Sequence, residues 1–278
     1  MNQSDEQNNK KNIHFYFLFS LNNSGTTIMS QYLNKEIKYS YLSKYGNHEG
    51  QNIPTVKDIM KPHRWDPYHH LDWEFIQNAW TKEALISGKS SFIEASPPNI
   101  IRVDKIINHF TKKSCIFSLS SPYHYVASSV RNYWNHVTFK EAIDITLESW
   151  TQRANIQRIN MKNFPYIPFL SYESFCKNPQ LLSKALKIHR KTNAPNSIPR
   201  VPGKRNLPIN EIVDMTPRHL AYLGLDGLSQ INNYLNDKLD LLNHFGYEII
   251  AERKANRLLR KKPLLAQLGL MHRIKREQ

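Results

Sequence analysis

The sequence predicts an α/β fold, a three-layer sandwich in which helices cover both faces of a central parallel sheet. Short apolar segments, typical of strands buried on both faces, alternate along the chain with longer segments whose apolar residues recur at helical spacing. The first such strand, residues 13–19 (IHFYFLF), ends in polar turn residues and is followed directly by a helical pattern. Because strand, crossover helix and parallel strand form the repeating unit of such sheets, this order favours the α/β class.

Further predicted elements continue the alternation. Strands are expected at residues 91–94, 114–119 and 166–170. Helices are expected at residues 26–33, 71–86, 100–110, 123–134, 139–160, 175–189 and 228–244. Four prolines make residues 193–208 a predicted loop.

Composition divides the chain into three predicted parts. Residues 1–12 are polar and predict a disordered tail. Residues 13–249 hold every predicted strand and are numerous enough to bury one sizeable core. Residues 250–278 carry nine Lys or Arg against two Glu, alternating with leucines. They predict a basic amphipathic segment in which Pro263 breaks or restarts a helix.

The formal charge of +15 predicts a polyanionic partner, such as a nucleotide, an anionic lipid surface or nucleic acid. Nucleic acid is disfavoured, because aromatic residues do not alternate with the basic run and no nucleic-acid-binding motif is present. Residues 250–278 suit either peripheral contact with an anionic membrane or packing on the domain with their charges in water. Both alternatives stay open from the sequence.

Two features predict a cytoplasmic location. The polar start of the chain lacks the apolar core of a signal peptide, and no window approaches the ~18 apolar residues of a membrane span. Cys115 and Cys176 stand in apolar or helical contexts that suit buried thiols, which favours a reducing compartment. The inner membrane face is the surface that residues 250–278 could contact there.

A phosphate-binding loop is predicted at residues 20–27 (SLNNSGTT), between the first strand and the first helix. Backbone N–H groups of a tight turn and the helix N-terminus attract an anion, and Gly25 lets the backbone come close to it. The hydroxyls of Ser24, Thr26 and Thr27 add donors. A capped turn without a ligand is the simpler interpretation. A nucleoside or sugar kinase is disfavoured, because the loop lacks the first glycine and the lysine of the kinase pattern.

Five segments together resemble the sulfotransferases that use 3′-phosphoadenosine 5′-phosphosulfate (PAPS). SGTT at residues 24–27 is similar to their 5′-phosphosulfate loop. Four other segments resemble family motifs in the same order: FIEASPPNIIRV at 92–103, SLSSPYHYVASSVRNYW at 118–134, FLSYESFCKNP at 169–179 and HFGY at 244–247. The resemblance covers roughly residues 13–248 and implies a sulfotransferase-like P-loop fold.

The resemblance also implies a function and a set of site residues. It implies transfer of a sulfuryl group from PAPS to a hydroxyl, on a carbohydrate or glycolipid acceptor, without a metal. Glu49 is the expected base that takes the acceptor's proton, with His48 in reserve. Asn23 stands where the family has a charge-stabilising lysine or arginine. The implied cofactor-binding residues are Ser24, Gly25, Thr26 and Thr27 for the 5′-phosphosulfate and Ser128 for the 3′-phosphate.

Three positions depart from the family pattern, since Asn23, Ala95 and Ser120 each replace a basic residue. A non-catalytic module that binds a nucleotide or glycan is therefore the alternative function. Adding a lysine at Asn23 discriminates the two. Four other basic residues near the motifs are candidates to supply the missing charge: Arg102, Arg131, Lys204 and Arg205.

The segment 62–70 (PHRWDPYHH) contains His63, His69 and His70. A zinc site is disfavoured because no cysteine or glutamate stands at ligand spacing from them. We expect an acceptor-facing loop in which Trp65, Tyr68 and His70 stack on sugar rings, with plain loop packing as the alternative.

Overall fold

The computed structural model of the protein describes residues 13–37, 39–134, 136–188 and 212–277. The predicted tail at residues 1–12 and the predicted loop at residues 193–208, with Lys204 and Arg205, lie outside these ranges.

A parallel sheet forms the centre of the described part of the chain. Its strands are β1 (His14–Ser20), β2 (Ser40–Leu42), β3 (Ser91–Glu94), β4 (Lys113–Leu119) and β5 (Phe169–Ser171). Their order in the sheet is β2-β3-β1-β4-β5, and each neighbouring pair is parallel. The predicted α/β class with a central parallel sheet is confirmed.

Helices connect the strands and continue beyond the last of them. They are α1 (Thr26–Glu36), α2 (Pro54–Met60), α3 (Trp73–Ile86), α4 (Val103–His109), α5 (Pro122–Tyr133), α6 (Phe139–Asn163), α7 (Tyr172–Lys177), α8 (Gln180–Ala185), α9 (Thr216–Leu235), α10 (Leu239–His244), α11 (Glu252–Lys261) and α12 (Pro263–Glu277). Three short 3₁₀ helices lie at Gly50–Asn52, Pro97–Ile101 and Asn236–Lys238.

Both faces of the sheet are buried, which explains the apolar residues at the centres of β1, β3 and β4. Successive side chains of β1 point to opposite faces. Phe17 and Phe19 pack on the larger core, which includes Trp80 of α3. Leu18 packs on the smaller core, which includes Met29 of α1. The sheet is thereby held rigidly between two layers, and its strand ends have fixed positions.

Two predicted helices are wrong in extent. The helix expected at residues 175–189 is two helices, α7 and α8, because the chain turns at Asn178, whose backbone is extended before Pro179. The single helix expected at residues 228–244 is the end of α9, a 3₁₀ helix at Asn236–Lys238 and α10; α9 itself begins earlier, at Thr216, and has a kink at Gly224, where φ is +69°. The strand predicted at 166–170 begins three residues later, at Phe169, and ends one residue later, at Ser171.

The end of the chain packs on the domain through α12. A Cβ added to Gly269 would fall against the backbone of Arg218 and the side chain of Ala221 on α9, so the two helices lie in close contact. Arg276 donates to the carbonyls of Val130 (3.3 Å) and Val137 (3.0 Å). The break at Pro263 is confirmed, since α12 begins there. None of the described helices is long and apolar enough to cross a bilayer.

Candidate functional site

The candidate site lies at the carboxyl edge of the sheet, where the loop after β1 meets the ends of its neighbours. Ser20 at the end of β1 lies beside Ser118 of β4, and Phe17 lies beside Glu94 at the end of β3. Ligands of open parallel sheets bind at this edge. The predicted loop residues therefore lie at this edge of the sheet, and the bond from the Gly50 N–H to Glu94 brings the segment of Glu49 there as well.

Gly25 is the residue on which the loop turns into α1. Its φ is +78°, in the left-handed region that glycine adopts without steric cost. A Cβ at this position would overlap the ring of Tyr172, which packs directly against the loop. The loop conformation thus requires glycine for two independent reasons.

Ser24 and Asn23 tie the loop to the structure after β4. Ser24 is fully buried, and its hydroxyl lies 3.1 Å from that of Ser120. Asn23 donates to the Ser129 hydroxyl (2.9 Å) and accepts from Asn132 (3.1 Å), both on α5. Asn23 and Ser120, two of the three positions at which the resemblance leads us to expect a basic residue, are thus neutral residues that hold the loop in place.

The first turn of α1 is suited to an anion. In the described chain, the N–H groups of Thr26, Thr27 and Ile28 donate to no backbone carbonyl. The first backbone hydrogen bond of α1 runs from the N–H of Met29 to the carbonyl of Gly25 (3.1 Å). Thr26 and Thr27 are partly exposed. Free N–H groups and the positive end of the helix dipole attract negative charge. The loop also contains no carboxylate that would repel an anion.

Glu94 connects the end of β3 to the segment that carries Glu49. Its side chain is fully buried and accepts hydrogen bonds from the N–H of Gly50 (2.7 Å), the N–H of Ser96 (2.9 Å) and the amide of Asn99 (2.9 Å). The indole of Trp80 donates to the Gly50 carbonyl (3.3 Å). The 3₁₀ helix after Glu49 is therefore anchored to the sheet.

Glu49 itself is partly exposed and keeps one oxygen available. Its Oε2 accepts from the side chains of Gln51 and Asn52, the latter at 3.2 Å. Within the described residues no hydrogen bond reaches Oε1. His48 is engaged at both ring nitrogens, since Nδ1 lies 2.7 Å from the Ser43 carbonyl and Nε2 lies 3.1 Å from the Gln31 amide. Glu49 is thus better placed than His48 to take a proton.

We expect the Glu94→Gln variant to change the pH dependence of stability. Burial raises the pKa of Glu94 to about 7, although the neighbouring N–H groups favour its charged form. Between its ordinary value of 4.5 and about 7, the unfolded chain releases this proton while the folded chain keeps it, so Glu94 lowers stability as pH rises. The penalty above pH 7 is about 3 kcal/mol.

The measurement is the melting temperature of both proteins from pH 5 to pH 8. Glutamine cannot accept all three hydrogen bonds, so the variant should be less stable at pH 5 by about 1–3 kcal/mol. Because it does not titrate, its deficit should shrink towards pH 8. The exposed Glu74→Gln change is the control and should follow the wild-type curve. A deficit that stays constant with pH would contradict a buried, titrating Glu94.

Ser128 lies on the same helix that Asn23 contacts. It is buried, and its hydroxyl lies 3.3 Å from Nε2 of His219 on α9. Arg131 follows one helical turn later on α5. Of the basic residues proposed to compensate for the missing charge, Arg131 is therefore near Ser128, whereas Arg102 is not free for this role. Arg102 is buried and donates to the carbonyl of Arg64 (3.0 Å).

The predicted acceptor loop has an exposed tip on a fixed base. Trp65 stacks under the guanidinium of Arg153 at 4.2 Å from the ring centroid. Tyr68 is 92% exposed, and His70 is exposed. The rings of His63 and His69 are 5.4 Å apart. The described residues contain no group of three or more His, Cys, Asp or Glu that could hold a metal ion.

Sequence reasoning missed three residues that shape the site, namely Tyr172, Glu94 and His219. Glu94 and Tyr172 lie within segments 92–103 and 169–179, which carry the resemblance, and they stand where β3 and β5 end. Their positions could therefore have identified them as site residues. His219 follows the prolines at residues 193–208 and belongs to a helix that was predicted to begin later, because the signal for its earlier start, Pro217 in the first turn, was not used.

No family model matches the sequence, and no curated protein matches it. One solved structure, described as "Sulfotransferase Domain from the Curacin Biosynthetic Pathway", aligns over 90% of this chain and 98% of its own. It has 14% sequence identity and a TM-score of 0.38. So weak a superposition does not bear on activity. The structure itself defines an α/β protein in which an anion-suited loop and the segment with the partly exposed carboxylate of Glu49 lie at the same edge of the sheet.

Proposed function

We propose that the protein is a sulfotransferase that moves a sulfuryl group from PAPS to a hydroxyl of a carbohydrate or glycoconjugate. The observation that carries the proposal is the turn at Gly25, which presents the free N–H groups of α1 at the edge of the sheet where Glu49 also lies. The resemblance of five sequence segments supports the choice of PAPS over other phosphorylated ligands.

The residues present fit a group that carries phosphate. The first turn of α1 offers N–H donors, and the hydroxyls of Thr26 and Thr27 can donate beside them. Ser24 is bonded to Ser120, so its contribution is through the backbone and the shape of the turn. The loop contains no negative charge to oppose the ligand.

The chain's own residues perform two tasks in the proposed reaction. PAPS, when bound, supplies the sulfuryl group and a phosphate leaving group. The N–H groups of Thr26 and Thr27 stabilise negative charge on that phosphate, as preorganised donors do elsewhere. Glu49, through its available Oε1, takes the proton of the acceptor hydroxyl. Asn23 can donate one neutral hydrogen bond where a cation would be more effective.

The experiment that tests the proposal is a thermal melt with adenosine 3′,5′-bisphosphate, the product nucleotide, compared with ATP and magnesium. Ligand at about 100 times its Kd should stabilise the protein by roughly 2.7 kcal/mol. We expect Thr26→Val to weaken binding at least about tenfold, because a hydrogen bond to a charged group contributes about 1.5–3 kcal/mol. Thr55→Val, at an exposed position in the first turn of α2, is the matched control.

Stabilisation by ATP and magnesium but not by the bisphosphate would overturn the cofactor assignment and favour the kinase alternative. If Thr26→Val and Thr55→Val change the affinity for adenosine 3′,5′-bisphosphate equally, the Thr26 hydroxyl is not part of the binding site.

A second candidate function is a nucleotide- or glycan-binding module without turnover. The observation in its favour is that Asn23 and Ser120 are both neutral and are bonded within the loop and α5. Uncompensated negative charge on a leaving group slows transfer without abolishing binding.

Asn23→Lys separates the two functions. If the protein is an enzyme that lacks a loop cation, we expect the variant to transfer sulfate faster, by about tenfold to 10³-fold. It should also melt lower, because φ at Asn23 is +55° and lysine adopts this region at a cost of about 1–2 kcal/mol. Asn23→Met matches the lysine in length without its charge and should lose stability without gaining rate. Nucleotide binding with no turnover in either the wild type or Asn23→Lys would favour the module.

The acceptor and the membrane contact belong to the same proposal. Tyr68 and His70 are exposed and could stack on sugar rings. Arg64 of the same loop interacts electrostatically with Glu49. The helix α11 presents exposed cations, including Arg253, Arg257 and Arg260, to solvent. These could bring the enzyme to an anionic membrane on which a glycolipid acceptor lies. Sedimentation with anionic and neutral vesicles measures this contact.

A further inference from the structure

We propose that Arg64 and Arg153 bind a singly charged group, a carboxylate or a sulfate ester, on the sugar whose hydroxyl Glu49 deprotonates. This site rests on the proposed function for the role of Glu49, and it adds the class of acceptor, which is an acidic sugar. Arg64 lies in the segment 62–70, and Arg153 lies on α6. Trp65 brings them together, because its ring centroid lies 4.2 Å from the guanidinium carbon of Arg153 and 5.8 Å from that of Arg64.

Both arginines extend from positions that the fold holds in place. The buried side chain of Arg102 donates to the backbone carbonyls of Arg64 (3.0 Å) and Asp66 (3.4 Å), so it fixes the backbone of the segment 62–70. Arg153 donates to the hydroxyl of Tyr125 on α5. Both Arg64 and Arg153 are partly buried. The two guanidinium groups are therefore positioned before a ligand arrives, which lowers the entropic cost of binding one.

Positive charge is in excess around these residues. Burial lowers the pKa of Arg102, and the charge of Asp66 opposes this shift. Burial likewise lowers the pKa of Arg64, where the charge of Glu49 opposes the shift and that of Arg153 adds to it. Among the described residues, these three arginines therefore interact with two carboxylates. One excess positive charge suits a single negative charge better than a phosphate monoester, which carries about −1.5 to −2 at pH 7.

The Arg64 side chain keeps its donors available for a ligand. Within the described chain it donates no hydrogen bond, and its Nε is buried without a partner. No ion pair joins Arg64 or Arg153 to a described carboxylate. A guanidinium presents its N–H groups in a planar fork that matches the oxygens of a carboxylate or a sulfate. A charged oxygen at this fork would satisfy donors that are costly to leave unpaired.

The arrangement around Glu49 leaves room for a sugar between the base and the cation. Arg64 and Glu49 interact electrostatically, yet they form no ion pair, and no described hydrogen bond reaches Oε1 of Glu49. A hydroxyl bound at Oε1 would therefore have Arg64 near its sugar ring. Arg153 covers one face of the Trp65 ring, the ring that was expected to stack on a sugar. On that face the acceptor meets a charged group in place of an aromatic one.

The experiment measures the binding of three sugars to the full chain without nucleotide, by saturation-transfer NMR. They are methyl glucuronide, methyl glucoside 6-sulfate and the neutral methyl glucoside, which differ only at carbon 6. We expect the wild type to prefer an acidic sugar over the neutral one by about tenfold to 100-fold, as hydrogen bonds to charged groups provide. Arg64→Gln and Arg153→Gln should lose most of this preference.

Lys140→Gln is the matched control. Lys140 is exposed in the first turn of α6, so its replacement removes one positive charge about 20 Å along the helix from Arg153. This variant should keep the preference. Arg64→Lys, which keeps the charge but loses the planar fork, should keep part of it. The neutral sugar separates charge from structure, because a variant that only disturbs the loop would weaken the binding of all three sugars alike.

The outcomes separate this inference from the proposed function. A preference for the glucuronide or for the sulfate ester, lost in both glutamine variants, supports the site and tells which group it takes. The same result with no sulfate transfer from PAPS would keep the acidic-sugar site while the sulfotransferase function fails. If the wild type transfers sulfate but binds acidic and neutral sugars equally, the function stands and the inference is overturned. A preference that survives in both glutamine variants, or a wild type that binds no sugar, also overturns it.

Discussion

Gly25→Ala should be among the most destabilising single changes in the phosphate-loop region. The left-handed φ of +78° costs alanine about 1–2 kcal/mol. The new Cβ would also overlap the ring of Tyr172, and forcing extra volume into a packed site costs a further 1–3 kcal/mol or so. The sum predicts a fall in melting temperature of roughly 5–15 °C for a protein of this size.

Tyr172 has little freedom to move away from the added methyl group. Its side chain is buried, and its ring lies 4.4 Å from that of His124. The strain should therefore spread to the loop, and nucleotide binding should be lost together with stability. Calorimetric melting with and without adenosine 3′,5′-bisphosphate measures both effects.

Gly88→Ala is the matched control because it isolates the backbone contribution. Gly88 has a similar φ of +65°, yet nothing lies within 4 Å of a Cβ placed there. We expect this variant to lose only about 1–2 kcal/mol. Combining Gly25→Ala with Tyr172→Ala should recover part of the loss through coupling between the two sites. Equal losses for the two glycine variants would show that Tyr172 does not constrain the loop.

The central strands could be predicted from the sequence because a strand that is buried on both faces contains a run of apolar residues. Apolar residues form the centres of β1, β3 and β4, and the predicted bounds of these strands agree with the structure to within one residue. The short edge strand β2 (Ser40–Leu42) has no such run and was missed. Edge strands of three residues are defined by pairing with a neighbour, which a local pattern does not show.

Helix boundaries failed where one residue overrides an otherwise continuous pattern. The backbone of Asn178 is extended because Pro179 follows it, and this break divides the helix predicted at 175–189. The start of α9 had a local signal that went unused, because Pro217 stands in its first turn and Asp214 accepts the N–H of Thr216 (2.9 Å). That signal would have placed His219 on a helix.

Only those parts of the candidate site that consist of residues close together in the sequence could be predicted. The turn at Gly25 follows from the order of strand, glycine and helix. The contacts of Tyr172 with Gly25, of Glu94 with Gly50, and of His219 with Ser128 join residues far apart in the sequence. No spacing rule predicts them, because the sheet and its covering helices create these contacts.

Glu49→Gln should slow turnover strongly while leaving the fold and nucleotide binding intact. The amide has the size of the carboxylate, and its oxygen can still accept the hydrogen bond from Asn52 (3.2 Å). It cannot take a proton, so we expect the turnover number to fall by about 10²–10⁴. Sulfate transfer measures this loss, and the melt with adenosine 3′,5′-bisphosphate should be unchanged. Glu74→Gln is the control and should retain full activity.

His48→Gln tests the other predicted base under the same assay. Both nitrogens of His48 already have partners, the carbonyl of Ser43 and the amide of Gln31. A proton could reach His48 only after one of these contacts breaks, so we expect this variant to lose less than about tenfold in rate. An inactive His48→Gln with an active Glu49→Gln would reverse the two roles. The 3₁₀ helix anchored by Glu94 would then position an imidazole rather than a carboxylate at the acceptor.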